Sequence, residues 1–309
     1  MNETIRKIQD EVRKAVSGKD EAITLVLNAI LAGGHILLED IPGVGKTTLA
    51  LALSRALGLK FGRIQFTPDV VPSDIVGFSI YDKDTGSFRY HEGAILTNFF
   101  LADEINRTSS KTQSALLQVM QEGVVTVDGN TYAVPQPFVV LATQNPVGTA
   151  GTQMLPEAQL DRFMIKISMG YPDHKAQMEI LKRRAVADPM GTVESVVTAE
   201  EINSMKKEAA AMYVDDKIYE YITLLAAATR EHEYIKLGVS PRGALSIAAM
   251  AKARAYIEGR SFTTPEDVQA IFTDTCRHRL VLSPRAGLND SDADGLLAEI
   301  AEKVYAPKI

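Results

Sequence analysis

The chain has 309 residues, a length that suits two domains better than one small core. Its composition, 46% hydrophobic and 23% charged, is that of a globular protein, and no apolar run is long enough to predict a membrane span. The net charge of −6 and the lack of a Lys- and Arg-rich block argue against nucleic acid as the main partner. The charged N-terminal stretch has no signal-peptide pattern, so we expect a cytoplasmic protein without membrane insertion.

Two helices and a strand are predicted first along the chain. Apolar residues at helical spacing predict a helix over residues 2–17, which Gly18 ends. Asp20 is a candidate N-cap for a second, apolar helix that runs to Ala32. Residues 35–39 form an apolar run of strand length that leads directly into a glycine-containing loop.

Residues 37–49 read L-L-E-D-I-P-G-V-G-K-T-T-L, a strand end followed by a loop with two glycines and a helix start. This context is what a phosphate-binding loop requires, because backbone N–H groups and the helix N-terminus then surround the phosphates. The Lys46 ammonium would reach the β- and γ-phosphates, and the Thr47 hydroxyl would ligate Mg²⁺. The residues expected to contact the nucleotide here are Pro42, Gly43, Val44, Gly45, Lys46, Thr47 and Thr48.

Asp40 stands where the usual pattern, G-x-x-x-x-G-K-[ST], has its first glycine. A Gly-rich turn that caps an ordinary helix is therefore the alternative interpretation of this loop. Nothing in the sequence indicates what a carboxylate contributes at that position.

Strands alternate with helices up to about residue 170, and this pattern predicts a five-stranded parallel sheet in an α/β fold. Two β-hairpins are predicted at 76–95 and 124–134, the second around an Asp-Gly turn. The buried strands of the sheet are predicted at 35–39, 63–66, 99–102, 138–143 and 163–168.

The pattern changes near residue 173, after which it predicts helices alone. Pro172, Pro189 and Gly191 cluster at this change. We therefore expect a nucleotide-binding core over residues 1–185 and an all-helical domain over 186–309.

Polar side chains follow two of the predicted strands. Asp103 and Glu104 come after the third strand, where Asp103 would hold Mg²⁺ and Glu104 would polarise the attacking water. Asn145 follows the fourth strand and could hydrogen-bond the γ-phosphate or that water. Ligands sit at the carboxyl ends of strands in open α/β sheets, so both positions suit a nucleotide site. The alternatives are a solvated acidic turn and a simple Asn-Pro turn.

Six strings, in order along the chain, resemble the MoxR family of AAA+ ATPases, and the resemblance covers most of residues 16–285. It implies an αβα nucleotide-binding core with a helical lid, binding of ATP and ADP, ATP hydrolysis with Mg²⁺, and a homo-oligomer in the form of a hexameric ring. The strings are R-I-Q-F-T-P-D-V-V-P-S-D-I-V-G (63–77), L-A-D-E-I-N-R (101–107), M-Q-E-G-V-V-T-V-D-G (120–129), F-V-V-L-A-T-Q-N-P (138–146), L-P-E-A-Q-L-D-R-F (155–163) and G-V-S-P-R-G (238–243).

The resemblance also assigns roles to residues of the core. Lys46 and Thr47 match Walker A. Asp103 and Glu104 match Walker B, with Glu104 as the catalytic base, and Asn145 matches sensor 1.

Two arginines and an N-terminal segment complete the implied site. Arg162, in L-D-R-F, matches the arginine finger that one subunit presents to the γ-phosphate of its neighbour. Arg242, in S-P-R-G, matches sensor 2 on the helical lid. Val16 and Gly18 resemble the segment that contacts adenine, although Lys19 replaces the more usual Gln.

The two arginines also have more ordinary interpretations. Arg162 could form a salt bridge with Asp161 or Glu157. Arg242 could instead cap a helix or pair within the lid.

Other polar residues are weaker candidates. Arg107, which follows Walker B, is a rival for the role of arginine finger. The R-H-R run at 277–279 is typical of a solvated or helix-terminal cluster, and could also form a subunit contact. The five histidines show no pair at metal-ligand spacing, so no zinc site is predicted.

The resemblance implies work on a partner protein. The activity expected is chaperone-like remodelling or maturation of a client, often one with a von Willebrand factor A domain, with the two hairpins directed to the central pore or the client. Two alternatives are a nucleic-acid-stimulated motor and a nucleotide-gated scaffold with little turnover.

Overall fold

The computed structural model describes residues 1–145, 154–186, 188–289 and 291–308; Pro146, which closes the A-T-Q-N-P string, lies outside them. The helices are α1 (Glu3–Ala15), α2 (Asp20–Leu31), α3 (Lys46–Ala56), α4 (Pro72–Val76), α5 (Ser110–Glu122), α6 (Glu157–Leu160), α7 (His174–Val186), α8 (Ala199–Ala210), α9 (Asp216–Glu231), α10 (Pro241–Ile257), α11 (Pro265–Cys276), α12 (Pro284–Leu288) and α13 (Ala293–Lys303). The strands are β1 (Ile36–Glu39), β2 (Phe61–Gln65), β3 (Gly77–Asp82), β4 (Ser87–Glu92), β5 (Phe99–Asp103), β6 (Val124–Val127), β7 (Asn130–Ala133), β8 (Val139–Gln144), β9 (Ile165–Ile167), β10 (Ile235–Leu237) and β11 (Val281–Leu282).

Five strands form one parallel sheet in the order β2-β5-β8-β1-β9, which confirms the predicted fold class. β5 and β8 are buried along their whole length, because helices cover both faces of the sheet. Successive residues of β5 alternate between the faces. Phe99 and Leu101 belong to the apolar cluster that contains α1, α2 and α3, whereas Phe100 and Ala102 belong to the cluster that contains α5.

The strand order decides which loops meet at the carboxyl edge of the sheet. β1 pairs with β8 so that Glu39 lies opposite Gln144, and β8 pairs in turn with β5. The loop that follows β1 therefore lies beside the ends of β8 and β5. These are the strand ends at which the sequence predicts polar chemistry.

Both predicted hairpins are present, as β3–β4 and β6–β7. The rings of Tyr90 and Tyr132 stack with their centroids 4.0 Å apart and an angle of 13° between their planes, so the two hairpins contact each other. The turn-rich stretch before the first hairpin folds into α4, which the sequence does not predict because one helical turn carries too little periodicity.

The C-terminal region is helical, as predicted, and α8 and α10 contact α2 of the core. The expectation of helices alone was incomplete, because β10 and β11 form a small antiparallel pair whose two or three residues are too few to give a strand pattern. The expected domain boundary after residue 185 falls in the last turn of α7, and the division into two domains stays a prediction. Within the described residues, no helix combines the length and apolar character needed to cross a membrane.

Candidate nucleotide site

The loop between β1 and α3 is shaped by two glycines. Gly43 (φ 87°) and Gly45 (φ 98°) have left-handed backbone conformations, which favour glycine. No atom lies within 4 Å of a Cβ built on either residue, so conformation and not lack of space requires glycine there. The Gly45 cap of α3 offers no side-chain acceptor. The N–H groups of the first turn of α3, which starts at Lys46, are therefore available to an anion.

Lys46 is buried beneath this loop, with 8% of its surface exposed. Its Nζ donates to the carbonyl oxygen of Asp40 at 2.6 Å and lies 3.3 Å from Oδ1 of Asn145. Burial lowers the pKa of this ammonium, and the carboxylates of Asp40, Asp103 and Glu104 oppose that shift. The structure thus brings the predicted phosphate-binding lysine together with the predicted strand-end residues.

Asp103 is the last residue of β5, and its carboxylate is held by two side chains. Oδ1 accepts from Oγ1 of Thr143 at 2.7 Å, and Oδ2 accepts from Nη2 of Arg63 at 2.8 Å. Sequence reasoning missed both partners, because each lies 40 residues from Asp103. The hydroxyl that follows the apolar run V-V-L-A (139–142) was the signal that could have revealed Thr143.

Glu104 has a left-handed backbone (φ 57°), which costs a non-glycine residue of the order of 1 kcal/mol. Its N–H donates to Oγ1 of Thr143 at 2.8 Å, and its carboxylate accepts from Arg107 at 2.8 Å and Asn145 at 3.1 Å. Burial raises the pKa of this carboxyl, but hydrogen bonds from Arg107, Asn145 and Gln65 lower it further than burial raises it. Arg107, the rival for the arginine finger, thus contacts Glu104 of its own chain.

Asn145 joins the two halves of this cluster. Its Oδ1 faces Lys46 and its Nδ2 donates to Oε1 of Glu104. Its backbone oxygen accepts from Nδ2 of Asn106 at 3.2 Å, which fixes the chain just beyond β8. An amide in this position can contact the same oxygens as the lysine and the glutamate.

The donor set at this edge fits a magnesium ion. The described residues contain no group of three or more His, Cys, Asp or Glu side chains that could hold a metal ion. Mg²⁺ in nucleotide sites takes one or two protein oxygens, and phosphate and water complete its shell. The Thr47 hydroxyl on the first turn of α3 and the Asp103 carboxylate are oxygen donors of this kind.

Asp40 anchors the base of the loop. Its Oδ2 accepts from the N–H groups of Met169 at 2.6 Å and Gly170 at 2.7 Å, and from Oγ of Ser168 at 3.2 Å. Its Oδ1 accepts from the N–H of Ile41 at 2.9 Å. Charge-assisted bonds of this kind are stronger than neutral ones. The carboxylate at the unusual Walker A position therefore ties the loop to the turn after β9.

Lys19, the other departure from the family pattern, binds the same turn. Its Nζ donates to the carbonyl oxygens of Met169 at 2.5 Å and Tyr171 at 2.8 Å. Gly18 has a left-handed backbone (φ 69°), and a Cβ there would lie 2.6 Å from Cβ of Ala176 in α7. The two unusual side chains thus hold the N–H groups and the carbonyl groups of one turn.

A small cavity lies beside the phosphate loop, next to the segment that contains Val16 and Gly18. Ser17, between these two residues, lines the cavity together with Thr48 of α3. Ile180 of α7 and Met190 provide its apolar wall.

Arg162 and Arg242 lie at the other edge of the sheet. Both line a cavity of about 200 Å³ whose wall includes Gly33, Gly34 and His35, the residues that precede β1. The phosphate loop follows the opposite end of β1. The structure therefore brings the two arginines together, but not with Lys46 of the same chain.

The alternative in which Arg162 forms a salt bridge with Asp161 is wrong. In the described part of the chain, Oδ1 of Asp161 pairs with Nε of Arg279 at 2.8 Å, while Nη1 of Arg162 donates to the carbonyl oxygen of Leu117 at 2.8 Å. The R-H-R run is helix-terminal, as predicted, but His278 and Arg279 are buried rather than solvated.

Comparison with known proteins supports the resemblance. Residues 35–165 match the model of the ATPase family associated with various cellular activities (AAA), and residues 227–300 match the AAA lid domain. The protein YeaC of Bacillus subtilis is 45% identical, with coverage of 97% of this chain and 94% of its own length. The chaperone MoxR1 of Mycobacterium tuberculosis is 38% identical, with coverage of 99% and 83%.

A solved structure agrees with these relatives. The crystal structure of a presumed ATPase from Cytophaga hutchinsonii matches with a TM-score of 0.92 and 38% identity, over 99% of this chain and 95% of its own. The match takes in both the five-stranded sheet and the helical C-terminal region of this chain. The chain belongs to the MoxR family of AAA+ ATPases, and its activity is the hydrolysis of ATP.

Proposed function

We propose that this ATPase hydrolyses ATP with Mg²⁺ at sites shared between neighbouring copies, and that it uses the energy to remodel a partner protein. The observation that carries the proposal is the separation of the site residues into two groups. Lys46 and Glu104 lie at the carboxyl edge of the sheet, whereas Arg162 and Arg242 line a cavity at the opposite edge. One chain thus holds half of two different sites.

The first half would bind the nucleotide and start the reaction. The phosphates would lie against the N–H groups of residues 43–48, with Lys46 turned from the Asp40 carbonyl to their oxygens. When bound, Mg²⁺ would neutralise phosphate charge, held by Thr47 and Asp103. The adenine would lie near Val16 and Gly18.

Glu104 would act as the base that accepts a proton from the attacking water. Its lowered pKa leaves the carboxylate ionised at neutral pH, as a base requires. Asn145, bonded to Glu104 and facing Lys46, would orient the water between the carboxylate and the γ-phosphorus. Attack forms the new P–O bond, breaks the bond to the β-phosphate oxygen and releases ADP and phosphate.

The second half would come from the neighbouring subunit. The γ-phosphoryl group in the transition state carries charge that Lys46 and one Mg²⁺ do not fully offset. Arg162 and Arg242, which line one cavity at the opposite edge, would supply two further positive charges. We propose a hexameric ring as the assembly that brings each pair to the next site.

The remodelling activity would use the hairpin β3–β4. Four of its apolar side chains are between 46% and 74% exposed, two on each face of the hairpin, and exposed apolar surface of this kind is typical of a protein-binding element. The relative MoxR1 is named a chaperone, and we propose a partner with a von Willebrand factor A domain. The exposed side chains are Phe78, Ile80, Tyr81 and Phe88.

Mixing two inactive variants tests the shared site. Arg162→Ala keeps the nucleotide half intact, and Lys46→Ala keeps the arginine half intact. A mixture should therefore recover part of the ATPase activity, at interfaces where the nucleotide half of an Arg162→Ala subunit meets the arginine half of a Lys46→Ala subunit. A mixture of Lys46→Ala with Glu104→Gln is the matched control, because both lesions lie in the same half and should not complement each other. Failure of the first mixture at every ratio would show that Arg162 does not act between subunits.

Measuring the ATPase activity with added DNA, or with a purified partner domain, tests which kind of macromolecule the protein acts on. Stimulation by a von Willebrand factor A domain protein supports the proposal. Stimulation by DNA that falls steeply with salt would favour a nucleic-acid motor instead. Turnover near background in the assembled protein would favour a nucleotide-gated scaffold.

A further inference from the structure

We propose that Arg279 is a positioning residue that holds Arg162 of the core and Arg242 of the lid in a fixed relation, through the carboxylate of Asp161. The inference rests on the proposed function, in which these two arginines complete the site of a neighbour.

Asp161 is the group that joins the two arginine-bearing segments. It directly precedes Arg162, and its Oδ1 accepts from Nε of Arg279 at 2.8 Å. Oγ of Ser240 lies 3.1 Å from its Oδ2 and 3.3 Å from its Oδ1. Ser240 is the N-cap of α10, and its Oγ also accepts from the N–H of Gly243 at 3.0 Å. Arg242 is the second residue of this helix. One carboxylate is thus bonded to the start of α10 and lies next to Arg162.

Nη1 of Arg279 bonds to the carbonyl oxygen of Thr275 in its own segment, and both Nη1 and Nη2 also reach the two arginine-bearing segments. Its Nη2 donates to the carbonyl oxygen of Phe163 at 2.8 Å, and its Nη1 donates to that of Met164 at 3.2 Å. Its Nη2 also donates to Oγ of Ser246 at 3.0 Å. Ser246 lies one turn after Arg242 and donates to its carbonyl oxygen at 3.1 Å. The guanidinium therefore contacts the chain just after Arg162 and the second turn of α10.

The glycine of the S-P-R-G string allows this close approach. A Cβ on Gly243 would lie 2.9 Å from Cδ of Arg279 and 2.6 Å from Cγ1 of Val239. Its φ is not positive, so the requirement for glycine here is one of space and not of conformation. Arg279 thus lies against the backbone of α10 next to Arg242.

The burial of this arginine indicates a role beyond stability. Arg279 is 5% exposed, and a buried ion pair usually stabilises a fold no better than apolar side chains of similar volume. A planar guanidinium can bond several acceptors at once in fixed directions, which a lysine or an apolar side chain cannot do. We infer that the network sets geometry, because it joins one segment of the core to one segment of the lid.

The experiment compares Arg279→Lys and Asp161→Asn with Arg277→Lys. Arg277 belongs to the same R-H-R run but pairs with Asp274 and Asp294, so its substitution is the matched control. We expect the first two variants to lower kcat on the order of 10- to 100-fold while the affinity for ADP changes less than about twofold, because the nucleotide half is untouched. The control variant should keep the kcat of the parent.

The ATPase activity of mixed variants then shows whether Arg279 acts through the arginine half of the site. Arg279→Lys should recover activity with Lys46→Ala, as Arg162→Ala does, but should recover none with Arg162→Ala. If Arg162→Ala complements Lys46→Ala and Arg279→Lys does not, the positioning role is overturned while the shared site stands. If neither complements, the shared site itself is overturned.

Asp161→Asn keeps the inference testable if Arg279→Lys does not fold. The amide keeps the size of the carboxylate and loses its charge, and circular dichroism would verify the fold. A folded Asp161→Asn protein with the kcat of the parent would overturn the role assigned to this network.

Discussion

Glu104 combines three features on one residue: a left-handed backbone, a bonded N–H and a carboxylate with two side-chain donors. Glu104→Gln keeps the size and much of the hydrogen bonding, but the amide cannot accept a proton. We expect ATP binding within about twofold of the parent and hydrolysis lowered by about 100-fold or more. Isothermal titration and phosphate release would measure the two quantities. Equal turnover in variant and parent would contradict the base assignment.

At Asp40 the usual Walker A pattern has glycine, but in this protein we expect glycine at that position to be harmful. Asp40→Gly restores the first glycine of Walker A, yet it leaves the N–H groups of Met169 and Gly170 without their acceptor. Each buried donor left without a partner costs about 1–3 kcal/mol, so we expect a lower melting temperature and weaker ADP binding. Asp40→Asn, which keeps an acceptor oxygen, should lose less. Tighter ADP binding in Asp40→Gly would refute this role.

His35 predicts a dependence of stability on pH. Its Nε2 donates to the carbonyl oxygen of Met120 and its Nδ1 accepts from the N–H of Val140, and burial lowers its pKa to about 4. The folded state disfavours the imidazolium, so this stability is present above the unfolded pKa of 6.5 and is lost as the pH falls below it. Between pH 7 and pH 5 the loss should be about 2 kcal/mol.

His35→Gln provides the comparison, because the amide can offer one donor and one acceptor without titrating. Urea unfolding of both proteins at pH 7 and pH 5 would measure the difference. An equal fall in the unfolding free energy of the two proteins would show that His35 does not titrate as described.

At the scale of elements, the stacked rings of Tyr90 and Tyr132 couple the two hairpins. Aromatic pairs contribute about 0.5–1.5 kcal/mol beyond the area they bury. We expect Tyr132→Ala to raise amide exchange in residues 77–92 by about two- to tenfold, at unchanged affinity for ADP. Thr131→Ala is the control, since Thr131 bonds to Thr126 within its own hairpin. An unchanged exchange rate in β3–β4 would show that the hairpins are independent.

The elements themselves were largely predictable, because each carries its signal locally. Apolar runs predicted the five strands, and an Asp-Gly turn predicted the second hairpin. Two-residue β11 and five-residue α4 carry too few residues for any period to be read. The long-range contacts of Asp40 and Asp161 were not predictable, because these partners lie between 79 and 130 residues away along the chain.

At the scale of the whole molecule, the proposed shared site predicts that the specific ATPase activity depends on protein concentration. Dilution separates the copies and removes Arg162 and Arg242 from each nucleotide, so specific activity should rise with protein concentration until assembly is complete. Phosphate release across a dilution series, with mass measured by light scattering in each sample, would test this. Constant specific activity down to a monodisperse monomer would rule out a contribution from a neighbour.

The sequence predicted the residues of both proposed half-sites but not how they are divided. Lys46, Glu104 and Asn145 follow three different strands, and parallel pairing brings such strand ends to one edge. Arg162 lies just before β9 and therefore at the opposite edge of the sheet from these strand ends, whereas the position of Arg242 depends on how the lid packs on the core. That packing follows from contacts among α2, α8 and α10, which no local pattern contains.

The position of the two proposed half-sites also restricts the symmetry of an assembly that joins them. The arginine surface and the nucleotide surface differ, so a contact between them is head-to-tail and has no two-fold axis. Repeating such a contact gives either a closed circle or an open helix, depending on the rotation between successive copies. In both cases every copy points the same way along the axis, and in a closed circle all β3–β4 hairpins would lie at the same height. A partner protein would therefore meet chemically different faces on the two sides of the assembly.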